Sequence, residues 1–295
     1  MLPPPRTHKI LLPIKSVKDR QDYMKFLESS AIKQIDQIAI QLLANANAEV
    51  FSVDGFCVPC DQNVPMLVDM EFGGQRHAHG FTPNWRERLV CPLCSMNNRQ
   101  RLIAALVKQE LQGKQGKRVY FMEQITPIFN WAMATFKQHQ IFGSEYLGHE
   151  HLGGTVVKGI RHEDVENLSF ADKQLDLIVS NDVFEHVPSP VKAFSECARV
   201  LKAGGVMLAT IPFHQGNDLS VIRARLTNGQ LEHILPPVFH GNPVSADGSL
   251  VFTDFGWDML STIRLAGFTD IGVDIYAAQK FGHLGDRQIV FRGVK

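Results

Sequence analysis

The stretch that most limits what this chain can fold into is residues 162–212, which reads as loop, buried strand, loop, amphipathic helix, glycine stop and second buried strand. Leu175-Asp176-Leu177-Ile178-Val179-Ser180 is a short apolar run of the kind buried in a parallel sheet. Val191, Phe194, Ala198 and Leu201 then recur at helical spacing. Gly204-Gly205 reads as the stop of that helix, because glycine adopts a left-handed backbone at little cost. Val206 to Ile211 is the next strand. Strand, crossover helix and strand make a βαβ unit, and ligands of open α/β sheets bind beyond the carboxyl ends of the strands. Those ends carry Asn181-Asp182 and His214-Gln215.

Within this span Asp164, Leu168-Ser169-Phe170, Asp176, Glu185-His186-Val187 and Leu201-Lys202-Ala203-Gly204-Gly205 follow in one order. In that order they resemble the class I S-adenosylmethionine-dependent methyltransferases, type 11-like. The resemblance implies an α/β fold with a Rossmann-like seven-stranded sheet. Strands are expected at 118–122, 140–144, 156–161, 175–180 and 206–211, and an antiparallel pair at 271–276 and 287–291 closes the sheet. Helices are expected at 17–46, 97–112, 128–138 and 255–266.

Length and charge narrow the alternatives. A chain of 295 residues suits two domains. Formal net charge is zero, which argues against a broad nucleic-acid footprint. No apolar run reaches the roughly eighteen residues of a membrane span, and the N-terminus MLPPPRTHKILLPIK lacks a secretory pattern. A cytoplasmic location is expected, with residues 1–15 extended.

Four of the five cysteines form two pairs, Cys57-Val-Pro-Cys60 and Cys91-Pro-Leu-Cys94. Two C-x2-C turns supply four soft ligands for a tetrahedral structural zinc, with no open position for water. A redox pair and buried thiols are the other readings. His77 and His79 lie in the intervening loop and read as solvated, with substitution for a metal ligand as the alternative, and Cys197 reads as helix packing. The expected division is 1–49, an N-terminal extension and helix; 50–115, a zinc-ribbon-like module of four cysteines with a linker helix; and 116–295, a methyltransferase domain with a lid insertion at 213–255. Arg86, Arg88, Arg99 and Arg101 read as a solvated face, with a small basic patch as the other reading.

The resemblance also assigns a cofactor site for S-adenosylmethionine. Glu145, at the tip of the second strand, would accept hydrogen bonds from the ribose hydroxyls. Asp164 would meet the adenine amino group, with Val165 beside it, and Asn181 would approach the tail and sulfonium. The family's glycine-rich turn after the first strand is replaced here by Glu123-Gln124-Ile125-Thr126-Pro127. Glu123 would then pair with the cofactor's ammonium group; alternatively the domain is a non-catalytic methyltransferase-like binding protein.

For the acceptor, the insertion supplies His214, His233 and His240. An oxygen nucleophile benefits from a general base, and His240, then His233, are the candidates. His186 reads as orienting or structural. Residues 233–248, HILPPVFHGNPVSADG, resemble a segment of bacterial glycosyltransferase-associated methyltransferases, some with N-terminal cysteine pairs. That resemblance implies a sugar, glycan or other small-molecule hydroxyl as acceptor. An RNA methyltransferase gripping nucleic acid through the zinc module is the competing reading.

Overall fold

The structure is a computed structural model that describes residues 11–46, 48–78 and 80–295. The expectations for residues 1–10 and for His79 lie outside the described residues. The elements are β1 (Lys15–Val17), α1 (Arg20–Leu27), α2 (Ser30–Ala44), β2 (Phe51–Cys57), β3 (Gln62–Val68), α3 (Asn98–Leu111), β4 (Arg118–Phe121), α4 (Pro127–Thr135), β5 (Gln140–Gly143), β6 (Leu175–Asn181), α5 (Pro190–Val200), β7 (Leu201–Thr210), α6 (Met259–Leu265), β8 (Asp270–Ala278) and β9 (His283–Val294), with shorter hairpins between them.

One seven-stranded sheet organises the chain, in the order β1-β8-β9-β7-β6-β4-β5. β5, β4, β6 and β7 run parallel; β9, β8 and β1 continue the sheet antiparallel. Successive side chains of a strand face opposite ways, and the sheet uses both faces. Tyr120, Ile178 and Met207 pack with α1, α2, α5 and α6. Val119, Phe121, Leu177, Val179 and Leu208 pack with α3 and α4. The result is a mixed α/β, Rossmann-like three-layer arrangement.

Seven strands were expected, but the membership differs. Residues 156–161 do not join the sheet. They form a separate hairpin, Val156–Val157 with Ile160–Arg161. Lys158 and Gly159 both take positive φ, 50° and 84°, which is the two-residue turn that folds such a run back on itself. The seventh strand is instead β1, paired at Lys15↔Ile275 and Val17↔Val273.

Helix ends also differ from expectation. Residues 17–46 hold two helices, because Asp19 caps α1 by accepting from Asp22 N–H at 2.8 Å and Ser29 opens α2. Gly204-Gly205 do not stop a helix. α5 ends at Val200, Leu201 already pairs with Leu175, and the glycines sit in a bulge before Val206 pairs with Leu177. Thr126-Pro127 starts α4: the Thr126 hydroxyl accepts from Phe129 N–H at 3.4 Å and proline occupies the first turn.

The cysteine region packs directly on the sheet. β2 and β3 form a hairpin whose tip carries Cys57 and Cys60, and a Leu67↔Val90 bridge brings the second pair alongside. Gly285 of β9 has φ +85°, and a Cβ there would stand 2.0 Å from the Trp85 ring. That approach requires glycine. Residues 15–44 share the same core through Val17, Tyr23, Phe26, Ile32 and Ile35.

Candidate functional site

The carboxyl ends of β4, β5 and β6 gather acidic groups. At the tip of β5, Glu145 Oε1 accepts from the backbone N–H of Gln124 at 2.7 Å and of Ile125 at 3.0 Å. It therefore fixes the turn that replaces the glycine-rich one. Burial pushes the Glu145 carboxyl above its ordinary pKa, and the two N–H groups oppose that. Glu123, at the tip of β4, is buried and accepts from the Asn181 amide. Burial pushes its carboxyl up to about 8; Asn181 and Arg99 pull down, while Glu145 and Asp182 add to the rise.

Asp164 Oδ1 accepts from Glu166 N–H at 2.9 Å, forming its own turn, and Val165 beside it is buried. An isolated parallel bridge, Glu145↔His162, holds this loop against the β5 tip. Glu123, Glu145 and Asn181 thus meet, with Asp164 and Val165 on the loop beside them.

The arginines correct the sequence reading. Asp182 has φ +56° just beyond β6 and accepts from both guanidinium nitrogens of Arg86, at 2.5 and 2.7 Å. Arg99 stands 3.5 Å from the same carboxylate and donates to Glu87 at 3.0 and 3.1 Å. Burial opposes a charge on Asp182, but Arg86 and Arg99 hold its carboxyl far below the usual range. Arg88 is buried and paired with Asp69. Arg101 is 1 % exposed and donates to the carbonyls of Leu89, Phe281 and Gly282 at 3.2, 2.9 and 2.8 Å. None of these four is a solvated face. Apart from Glu87 beside Arg86 and Asn98 three residues before Arg101, their partners lie 12 to 181 residues away in the chain, so helix spacing could not reveal them.

The four expected thiols converge. Cys57 Sγ lies 3.8 Å from Cys94 Sγ, and Cys60 Sγ lies 3.8 Å from Cys91 Sγ. Sulfurs bound to zinc at about 2.3 Å in a tetrahedron stand about 3.8 Å apart, so the donor set fits that ion. Among themselves the thiols conflict. A hydrogen bond from Cys57 lowers Cys94 to about 5, while burial and Cys94 push Cys60 up to about 12. Cys94 and burial push Cys57 higher still. A cation is what would let all four ionise. His77 is exposed, pairs with Thr82 at 3.2 Å, and does not join them. Cys197 is fully buried in the core.

The insertion is a set of ribbons. Ala224–Thr227 pairs with Gln230–His233, and Phe239–Asn242 pairs with Ser245–Leu250. The two candidate histidines part company. His233 is exposed at the end of the first hairpin. His240, on the second, has Nδ1 3.5 Å from Glu185 Oε1. Glu185 holds His240 above its ordinary pKa, against partial burial. His186 Nε2 lies 3.5 Å from the same oxygen, and its Nδ1 lies 2.9 Å from the Leu250 carbonyl. The sequence reading placed His186 in a supporting role and missed Glu185.

A cavity of about 440 Å³ opens between the cysteine region and the tips of β7 and β9, lined by Asn84, Trp85, Arg86, Pro212, Phe213 and Gln215 among others.

Residues 132–209 match a family profile described as a methyltransferase domain. A "Probable S-adenosylmethionine-dependent methyltransferase" of Mycolicibacterium smegmatis is 38% identical over 63 residues, 20% of this chain and 24% of that protein. The chain thus spans about a quarter of the length of that relative. Among solved structures, an S-adenosylmethionine-dependent methyltransferase from Mesorhizobium loti aligns at TM-score 0.41 and 14% identity, covering 65% of this chain and 98% of that one. The Burkholderia thailandensis 1,6-didemethyltoxoflavin-N1-methyltransferase, with bound 1,6-didemethyltoxoflavin and S-adenosylhomocysteine, aligns at TM-score 0.38 and 15% identity, covering 67% of this chain and 78% of that one. Among the described residues no helix is long and apolar enough to cross a membrane.

Proposed function

We infer that this chain is an S-adenosylmethionine-dependent methyltransferase. The observation that carries this reading is the match of residues 132–209 to a methyltransferase domain, a span that holds Glu145 and Asn181 at two strand tips, with Glu123 at the tip of the preceding strand β4. Glu145 takes the ribose diol with the carboxylate oxygen left over from the turn, Oε2. Glu123 takes the cofactor's ammonium group, which restores its charge. Asp164 and Val165 bound the adenine, and Asn181 approaches the tail. The methyl group of a sulfonium is already activated, so the protein's task is alignment and exclusion of water.

The acceptor is a hydroxyl of a sugar, glycan or other small molecule, reached through the Glu185–His186–His240 side of the site. The resemblance of residues 233–248 to glycosyltransferase-associated enzymes supports that class, as does a neutral chain with no broad basic footprint. Cys57, Cys60, Cys91 and Cys94 hold a structural zinc in a ribbon-like module at residues 50–115. In this reading residues 116–295 are the transferase domain.

Isothermal titration of the full chain with S-adenosylhomocysteine tests this reading. Saturable binding that is lost in Glu145→Ala is expected. Folded protein that gives no heat would remove the enzymatic reading.

A further inference from the structure

Glu185 poses the sharpest electrostatic problem in the molecule, because it is only 1 % exposed. Both of its carboxylate oxygens are buried without a hydrogen-bond partner. A buried carboxylate left in that state is costly, so a cation must compensate it, either an imidazolium of the two histidines that face it or a bound metal ion. The arginines nearby do not supply one: Arg86 and Arg99 are committed to Asp182 and Glu87.

The neighbours of Glu185 sharpen the problem. The Leu250 carbonyl can only accept, so His186 Nδ1 must carry the proton of their 2.9 Å hydrogen bond. In the neutral ring, Nε2 is then a bare lone pair, and it faces Glu185 Oε1 at 3.5 Å. His240 Nδ1 faces the same oxygen at 3.5 Å. These separations exceed the roughly 2.8 Å of a charge-assisted hydrogen bond. They match the edge, about 3.4 Å, of a tetrahedron with bonds near 2.1 Å to nitrogen and oxygen. All three ligand atoms lie within 4.8 Å of one another.

Backbone contacts hold this arrangement. Phe252 N–H donates to the Glu185 carbonyl at 2.7 Å, and Val251 N–H donates to Val238 at 2.8 Å. The first docks the end of the hairpin that carries His240 onto the turn that carries Glu185, and the second closes the base of that hairpin. The carbonyl bond to His186 Nδ1 orients its ring as such bonds orient histidine ligands elsewhere.

We propose that Glu185, His186 Nε2 and His240 Nδ1 bind a divalent transition-metal ion at the acceptor side of the site. Two imidazoles and one carboxylate suit zinc, manganese or ferrous iron, where the thiolate set suits zinc. Three protein ligands leave a coordination position open. The half-exposed His240 marks the open side, and the position takes water or a hydroxyl oxygen of the acceptor. The acceptor's role here rests on the methyltransferase reading above; the metal site itself does not.

The test is metal uptake by the full chain. The protein is stripped of weakly held metal with EDTA, exposed to Co2+, desalted and analysed by mass spectrometry. Wild type is expected to retain about one Co2+ per chain beyond the thiolate-held metal, with a visible spectrum lacking thiolate-to-cobalt charge transfer. His240→Ala, altered at a half-exposed ribbon position, is expected to melt like wild type and lose that ion. Glu185→Gln should lose it too, and His240→Ala remains decisive if Glu185→Gln fails to fold. No extra Co2+ in wild type, or equal uptake by folded His240→Ala, overturns the proposal, leaving His240 as a metal-free base. S-adenosylhomocysteine titration on the same samples separates the two readings. Cofactor binding without the ion removes only the metal, and the ion without cofactor binding removes only the transferase.

Discussion

The two ends of β6 carry one aspartate each, and they are held in different ways. At the start of the strand, Asp176 accepts from Lys117 at 3.0 Å, Lys202 at 2.8 Å and Arg118 N–H at 2.9 Å. Every partner lies at the entry of a neighbouring strand, so this end of the sheet is self-contained. Beyond the other end, Asp182 is held by Arg86 from the cysteine region and Arg99 from α3. Thr210 of β7 also donates to Asp182 at 3.0 Å, so that end is finished jointly by the crossover and by residues outside it. The cysteine region is therefore structurally part of the candidate site, because its fold sets where Arg86 stands.

The largest effect should come from the thiols. Cys91→Ser is expected to cost on the order of 5 kcal/mol of stability and to abolish S-adenosylhomocysteine binding along with bound zinc. Thermal melts, metal analysis and titration check this. If the variant keeps wild-type cofactor affinity, the region is not needed to finish the tip, and the comparison breaks.

Arg101→Met comes next. It would leave three buried carbonyls without donors and remove a cation that lies close to the thiol set. A loss of about 3 kcal/mol is expected by chemical denaturation.

The aspartates themselves sharpen the contrast. Asp182→Asn should weaken S-adenosylhomocysteine about tenfold, or about 1.4 kcal/mol. Asp176→Asn should leave that affinity alone and cost about 1 kcal/mol of stability. Burial works against the Asp176 charge, but Lys202, Arg118 N–H and Lys117 outweigh it, so its pKa is lowered in the fold. Its contribution is full above about pH 4, the unfolded value, and fades as pH falls through the folded pKa. Melts of Asp176→Asn should therefore converge on wild type in acid. Equal weakening of the cofactor by both substitutions would erase the distinction between the two ends.

The last effect is a pH slope at the tip, absent at any single pH. Glu123 is pushed up to about 8, so it is mostly protonated at pH 7 and ionises when a cation arrives. Affinity for S-adenosylhomocysteine should rise by up to about tenfold per pH unit toward pH 8. Glu123→Gln should flatten that slope. The same carboxyl makes the free protein less stable as pH climbs from about 4.5 to 8, because the folded state binds the extra proton.

How much of this could be read from the chain divides along the same line. Within the crossovers, periodicity sufficed for β4, β5 and β6, and it found α5 and β7 while placing the boundary between them about five residues late. It misjudged residues 156–161, whose apolar character suggested a strand while Lys158-Gly159 turned it back. It misjudged Gly204-Gly205, where a bulge and a helix stop use the same residue. The thiols converge as their spacing suggested. Arg86, Arg101 and Glu185 were illegible because their surroundings come from distant segments. A buried arginine and a surface arginine look alike in sequence, and only the assembled tertiary structure separates them.

The short strand β1 has a further consequence. By lying along β8, with Ile14 N–H donating to the Ile275 carbonyl at 2.7 Å, it occupies the free rim of the sheet. A chain trimmed at residue 20 would uncover the Val273-Asp274-Ile275 stretch of β8, with its donors and acceptors left vacant. Trimmed molecules would then tend to zip together side by side.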